Sequence, residues 1–268
     1  MTPEAADRLD QFFKGFARGA DPILLLDFDG TLAPFRVDRF TARPWAGVRE
    51  LLGRIQRAGL TTGLKTRMAV VTGRPAGEIA PMLGLDPPLE VWGLHGAERL
   101  YSDGRRELEH GSAATMEKLQ ELKDQLKHDS LGGLFEDKAN GAVMHWRGAS
   151  LQKAKAIERR TLELFEPLAQ VDGLRLLRFE AGLELRVGRD KGGAVEAILA
   201  EAGTDGPVAY LGDDFTDEAG FGEVNALGER GLSALVRREW RETEAQIWLR
   251  PPVELREFLG RWARMVEV

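Results

Sequence analysis

The chain has 268 residues, 43% of them hydrophobic and 30% charged, with a formal net charge of −6. These proportions describe an ordinary soluble globular protein, large enough for one domain or for a core with a smaller insertion. An acidic balance with no block of Lys or Arg gives no hold on nucleic acid or an anionic membrane, and the absence of cysteine removes disulfides, thiolate nucleophiles and Cys-based metal sites.

The N-terminal "MTPEAADRLDQFFKGF" has an amphipathic helix pattern rather than that of a signal peptide, and no apolar run approaches the ~18 residues of a membrane span. The cytoplasm is the expected location, and a monomer the expected state. Strand patterns follow at 23–29 "ILLLDFD", 67–72 "RMAVVT", 90–94 "EVWGL", 207–213 "PVAYLGD" and 233–237 "SALVR". Between the first two, Trp45, Val48, Leu51, Leu52 and Ile55 recur at helical spacing, with Pro44 at the start and Gly59 at the stop. A second βα unit reads "DKGGAVEAILAEAG" into "PVAYLGDD", with Asp190 as N-cap and Gly203 as stop. Strands alternating with helices predict an α/β fold, a Rossmann-like, largely parallel sheet covered by helices.

Residues 110–186 follow a different grammar. One amphipathic helix carries Met116, Leu119, Leu122 and Leu126, another Leu151, Ala154, Ile157, Leu162 and Phe165. Interleaved are hairpin-like strands: "LFEDKANGAVMHWR", then "LRLLRFE" and "LELRV" joined across Ala181-Gly182. This predicts an α+β cap at 110–186 inserted into a core formed by 1–109 and 187–268. If Asn140-Gly141 is a two-residue type I′ turn, Glu136 pairs with His145 and Lys138 with Val143. Alternation then gives one polar face with Glu136, Lys138, His145 and Arg147, and one mainly apolar face with Phe135, Asp137, Met144 and Trp146.

Sites in open α/β sheets form at the carboxyl ends of strands. Four such ends here carry chemistry: Asp27 and Asp29; Thr72, Gly73 and Arg74; Lys191 after a short strand and turn; and Asp213 with Asp214. Singly, each has a structural reading. A D-x-D is often a turn or cap, "VVTGRP" is a common loop, and Asp217 and Glu218 suit the first turn of a helix. A lysine in a helix's first turn opposes the helix dipole, unless a bound phosphate attracts both. Together they supply a carboxylate nucleophile for phosphorus and the cations that offset its repulsion from phosphate.

"DFDGT", "VVTGR", the lysine of "DKGG" and "GDDFTDE" stand in the order and at the strand ends seen in the haloacid dehalogenase superfamily, which the chain resembles. The resemblance implies Asp27 as nucleophile, Asp29 as the acid and then base, Thr72 and Lys191 holding the phosphoryl group, and Mg²⁺ on Asp27, the Asp29 carbonyl and Asp213, with Asp214 close by. "DFDGTLAP", "GLHGAE", "FEDKANGAVMHWR" and "LELRVGRDKGG" look like trehalose-6-phosphate phosphatases. That narrower resemblance implies a sugar-phosphate substrate, Glu136, Lys138, Arg147 and Glu184 on the glucose remote from phosphate, His95 and Glu98 lining the cleft, Arg74 at the substrate, and a cap that closes over the core. Other sugar phosphates (sucrose phosphate, a glucosylglycerol phosphate, a mannosyl phosphoglycerate) and a non-catalytic sugar-phosphate sensor remain as alternatives.

Overall fold

A computed structural model describes every residue except 1, 19, 60–63, 139, 172, 204 and 268, and also leaves undescribed the side chains of 17 and 18. In chain order the main elements are α1 (Pro3–Lys14), β1 (Ile23–Leu26), α2 (Val48–Ala58), β2 (Arg67–Val71), α3 (Ala76–Leu83), β3 (Glu90–Gly93), β4 (Glu98–Leu100) and β5 (Arg106–Leu108). There follow α4 (Ala113–His128), β6 (Phe135–Lys138), β7 (Gly141–His145), α5 (Leu151–Phe165), β8 (Leu174–Phe179) and β9 (Gly182–Val187). The chain ends with α6 (Lys191–Ala202), β10 (Val208–Gly212), α7 (Glu218–Asn225), β11 (Gly231–Val236), β12 (Ile247–Leu249) and α8 (Val253–Val266). Two compact units result, Met1–Glu107 with Lys191–Val268, and Leu108–Asp190. No helix among the described residues is long and apolar enough to cross a membrane.

The larger unit is built on a sheet of order β12-β11-β10-β1-β2-β3-β4-β5. From β12 to β3 the pairings are parallel, and β4 runs antiparallel to β3. Parallel strands covered on both faces read as continuous apolar runs, which is why β1 is Ile-Leu-Leu-Leu with every residue buried. Leu24 and Leu26 join the core shared with α1, α2, α3 and α8; Ile23 and Leu25 join the core with α6 and α7. Burying each of these side chains contributes roughly 1.5–3 kcal/mol, so the end of β1 is firmly held. The N- and C-terminal helices pack on each other: the rings of Phe12 and Phe13 on α1 lie 6.0 and 6.4 Å, centroid to centroid, from Trp262 on α8.

The smaller unit has a four-stranded antiparallel sheet, β6-β7-β9-β8, with α4 and α5 packed on the face that carries Ala142, Met144, Leu183 and Leu185. Its hairpins correct the predicted turns. Glu136 pairs with Val143 and Lys138 with Gly141, so the connection is 139–140 rather than Asn140-Gly141, and residue 139 lies outside the described residues. Phe179 likewise pairs with Gly182, so the last hairpin turns at Glu180-Ala181 rather than Ala181-Gly182. Both glycines are strand positions under close approach. A Cβ on Gly182 would sit 2.1 Å from the Phe179 ring, and one on Gly141 would sit 3.1 Å from Glu184 Oε1. Each slip moves the pairing by two residues, so the faces are preserved: Glu136, Lys138, Val143 and His145 still share one, Phe135, Asp137 and Met144 the other.

Candidate active site

β1 ends at Leu26 and delivers Asp27 at the carboxyl edge of the sheet, where its backbone N–H still donates to the Leu211 carbonyl at 2.8 Å. The chain then turns, so strand alternation does not extend to Asp29. Gly30 holds the turn at φ 86°, and a Cβ there would lie 2.1 Å from Asp213 Oδ2. Only glycine lets the first and last acidic loops come this close.

Asp27 is almost wholly buried and accepts from Lys191 Nζ at 2.7 Å. Lys191, the first residue of α6, also donates to Asp217 Oδ1 at 2.7 Å. Asp217 is fully buried and organises the loop after β10: its Oδ2 accepts from the backbone N–H groups of Asp213 and Asp214, both at 3.0 Å, and its Oδ1 accepts from the Tyr210 hydroxyl at 2.5 Å. Burial pushes the Asp27 carboxyl up to about 7 against the pull of Lys191, with Asp217 and Asp29 adding repulsion. Burial, then Asp27 and Asp217, also push Asp213 well above the usual carboxylate range. Burial works against the Lys191 ammonium, but Asp217 and Asp27 outweigh it and hold the charge on firmly.

One oxygen from each of Asp27, Asp213 and Asp217 falls within 4.8 Å of the others. Three buried carboxylates around one ammonium leave negative charge to be balanced, and an all-oxygen set suits a hard divalent cation such as Mg²⁺. Asp217 already accepts four hydrogen bonds, so Asp27 and Asp213 fit the cation better than it does. Asp214, expected beside the metal, turns one carboxylate oxygen to the Phe215 N–H at 2.7 Å and caps the short 3₁₀ turn that follows.

Thr72, at the end of β2, is buried, and its Oγ1 accepts from the Arg74 N–H at 3.2 Å. Arg74 grips Asp29 with both arms, Nε to Oδ2 at 2.5 Å and Nη2 to Oδ1 at 2.6 Å. It is itself fixed by the Arg39 carbonyl at 2.7 Å and by the Phe28 ring, 5.6 Å beneath the guanidinium carbon. His95, in a left-handed conformation at φ 57°, lays its ring on Gly73, where a Cβ would be 2.7 Å from Nε2. Glu98 is fully buried and accepts from the Ala76 N–H at 2.8 Å, so its carboxylate is engaged by the protein.

In the smaller unit Lys138 Nζ donates to Glu184 Oε2 at 3.2 Å, and His145 Nε2 lies 2.8 Å from Glu136 Oε2. Glu184 sits beside Val143, which itself sits beside Glu136, so the three form one row across β9, β7 and β6. Arg147 lies two residues beyond β7 and is exposed. Asp217 and Tyr210 are the members of the larger unit's cluster that sequence reasoning did not assign. The third acid of "GDDFTDE" was the available signal for the first, and a tyrosine inside an otherwise apolar strand for the second.

A family model described as Trehalose-phosphatase matches residues 25–247 of this sequence. The chain belongs to the trehalose-phosphatase family. It is 30% identical over 256 residues to a trehalose-phosphate phosphatase of Mycobacterium marinum, covering 90% of this chain and 61% of that protein. The counterpart in Mycolicibacterium paratuberculosis is 29% identical over 280 residues, covering 99% of this chain and 68% of the relative. The chain thus spans about three fifths to two thirds of the length of these relatives. Among solved structures, the C-terminal domain of a Candida albicans trehalose-6-phosphate phosphatase superposes with a TM-score of 0.77 at 19% identity, covering 96% of each chain. An Aspergillus fumigatus trehalose-6-phosphate phosphatase gives 0.72 at 23% identity, covering 96% of this chain and 97% of its own. At these identities the structures speak for the fold alone. That fold also matches the C-terminal domain of a Candida albicans trehalose synthase regulatory protein, with a TM-score of 0.69 at 12% identity, covering 94% of this chain and 97% of that one. Activity therefore has to be argued from the site.

Proposed function

We propose that the chain is a Mg²⁺-dependent phosphatase that hydrolyses trehalose 6-phosphate, acting in the cytoplasm. The observation that carries the reading is the buried constellation of Asp27, Lys191, Asp213 and Asp217, with Asp29 held in the next turn. A sensor needs to bind phosphate, but it does not need a buried carboxylate kept 2.7 Å from an ammonium and a second carboxylate two residues on.

In this mechanism an Asp27 oxygen attacks phosphorus and forms the aspartyl phosphate as the bond from phosphorus to the sugar oxygen breaks. Asp29 serves as the acid that protonates the departing oxygen, a role that needs one of its two oxygens released from the Arg74 fork. As carboxylate it then takes a proton from water, whose oxygen attacks phosphorus and returns Asp27 free with release of phosphate. Lys191 and Thr72 hold the phosphoryl oxygens, and Arg74 fixes the rotamer of Asp29. Mg²⁺, held by Asp27, Asp213 and the Asp29 carbonyl, would supply Lewis-acid neutralisation of the phosphoryl charge.

For the sugar, the face that carries Glu136, Lys138 and Glu184 supplies acceptors and donors suited to a disaccharide's hydroxyls. The test is phosphate release from a panel of trehalose 6-phosphate, sucrose 6-phosphate, glucosylglycerol phosphate and mannosyl phosphoglycerate. Trehalose 6-phosphate should lead by at least about tenfold in kcat/KM, roughly what one or two well-made sugar hydrogen bonds provide. Equal turnover across the panel would remove the trehalose assignment.

A further inference from the structure

The segment "GLHGAE" serves the loop "TGRPA" rather than an open surface. Its backbone donates to that loop twice, from the Leu94 N–H to the Arg74 carbonyl and from the His95 N–H to the Thr72 carbonyl, both at 2.8 Å. Gly93 packs flush against it, since a Cβ there would lie 2.5 Å from the Ala76 nitrogen and 2.8 Å from the Arg74 oxygen. Leu94 and His95 both hold positive φ, 48° and 57°, a conformation non-glycine residues keep only where their surroundings impose it.

Glu98 completes this cradle. Helix α3 begins at Ala76 directly after the loop, and its N-cap is Pro75, which has no side-chain acceptor for the first N–H groups of the helix. The chain leaves that end unsatisfied locally, and the fold brings in Glu98 Oε2 at 2.8 Å from the Ala76 N–H. A carboxylate on a helix's first N–H is a charge-assisted bond aligned with the helix dipole. Its other oxygen is paired with Arg106 of β5, whose side chain is largely exposed. Upstream of Ala76 the same short loop carries Thr72 and Arg74, and Arg74 clamps Asp29 through two bonds.

We propose that Glu98 is a positioning residue for the phosphatase reaction: by fixing the start of α3 it sets the Thr72 hydroxyl and, through Arg74, the Asp29 carboxyl. This inference rests on the function proposed above. It makes the acceptor on the Ala76 N–H, not the negative charge, the working feature.

The test uses the full chain with Mg²⁺ and two readouts, steady-state turnover of trehalose 6-phosphate and calorimetric binding of inorganic phosphate, which needs no turnover. Glu98→Ala should lower kcat about 10- to 100-fold, the range expected when reacting groups are displaced by about 1 Å, and weaken phosphate binding several-fold. Glu98→Gln keeps an acceptor at the same reach and should bring kcat back to within about threefold of wild type. Glu98→Asp, one methylene shorter, should fall between the two and carries the test if the alanine variant does not fold. A folded Glu98→Ala with kcat and phosphate affinity within twofold of wild type would overturn the proposal, as would a Gln variant as impaired as the Ala variant. If wild type releases no phosphate from any sugar phosphate, the proposed function fails instead, while phosphate binding that still depends on Glu98 upholds the positioning of the loop.

Discussion

Asp27 and Lys191 form a buried ion pair, Oδ1 to Nζ 2.7 Å, yet the Asp27 carboxyl is still pushed up to about 7 because burial outweighs the lysine. This buried carboxylate is therefore costly to the fold, and that cost depends on pH. With a folded value near 7 and an ordinary value of 3.8, the native state holds a proton that the unfolded state has already lost across this window. Stability from this group is fully present below about pH 4, falls as pH rises, and is gone above about 7.

Asp27→Asn removes that slope. Without added metal, the variant should be more stable than wild type at pH 8 by about 1–3 kcal/mol, a few degrees in Tm, and the gap should close toward pH 5. Turnover should be abolished at every pH. Thermal unfolding across pH 5–8 with parallel phosphate-release assays checks both statements; a gap independent of pH would contradict the raised carboxyl, and residual wild-type turnover would contradict the nucleophile.

Metal binding should separate the three acids of the loop after β10. Asp213 faces the cluster, Asp214 caps the Phe215 turn, and Asp217 is filled by Lys191, Tyr210 and two N–H groups. Raising Mg²⁺ to about 100 times its dissociation constant should stabilise wild type by about 2.7 kcal/mol. Asp213→Asn should lose most of this response, whereas Asp214→Asn, which keeps a side-chain oxygen to accept from the Phe215 N–H, should keep it with little change in stability. A Mg²⁺ response that vanishes with Asp214 and survives in Asp213→Asn would reverse the assignment.

How far the sequence could be read follows from where each signal lies. Buried parallel strands announce themselves as apolar runs, so β1, β2, β3, β10 and β11 were legible, and with them the strand ends that carry Asp27, Thr72 and Asp213. The three-residue strands β4, β5 and β12 were not, because "ERL", "REL" and "IWL" are too short to show a period. Both hairpin turns were misplaced because a two-residue slip leaves every side chain on its expected face, and the pattern cannot feel it. Of the close contacts at the two glycines, the Phe179 ring over Gly182 is local to its hairpin, whereas Glu184 beside Gly141 comes from a distant strand. Asp217 read only as a first-turn acid and Glu98 only as a cleft residue, because the backbone N–H groups they accept from, those of Asp213 and Asp214 in the same loop for one and of Ala76 for the other, leave no trace in the spacing of side chains.

Arg74 should prove irreplaceable by lysine. Its planar fork meets both oxygens of Asp29, and its remaining nitrogen meets the Arg39 carbonyl at 2.7 Å. A lysine ammonium keeps the charge but offers a single point, so the Asp29 carboxyl is no longer held in one rotamer. Arg74→Lys should lower kcat about 10- to 100-fold while KM stays within about threefold, measured by steady-state kinetics on trehalose 6-phosphate. A variant that raises KM alone would make Arg74 a substrate ligand rather than the holder of Asp29.

The last prediction concerns specificity, which the smaller unit should control independently of the chemistry. Glu184 is buried in the middle of its sheet and bonded to Lys138 at 3.2 Å, an arrangement that leaves a fixed carboxylate and an ammonium on one face. Removing either partner alone unbalances the pair, so the double change is the cleaner probe. Glu184→Gln with Lys138→Met should reduce kcat/KM for trehalose 6-phosphate by about 10- to 1,000-fold, as expected for losing one or two charge-assisted hydrogen bonds to the sugar. Hydrolysis of p-nitrophenyl phosphate, which offers no hydroxyls to that face, should change less than about threefold, because Asp27, Asp29, Lys191 and Asp213 all lie in the other unit. Equal losses on both substrates would mean that the pair supports the fold rather than the sugar, and equal retention would move sugar recognition elsewhere on the chain.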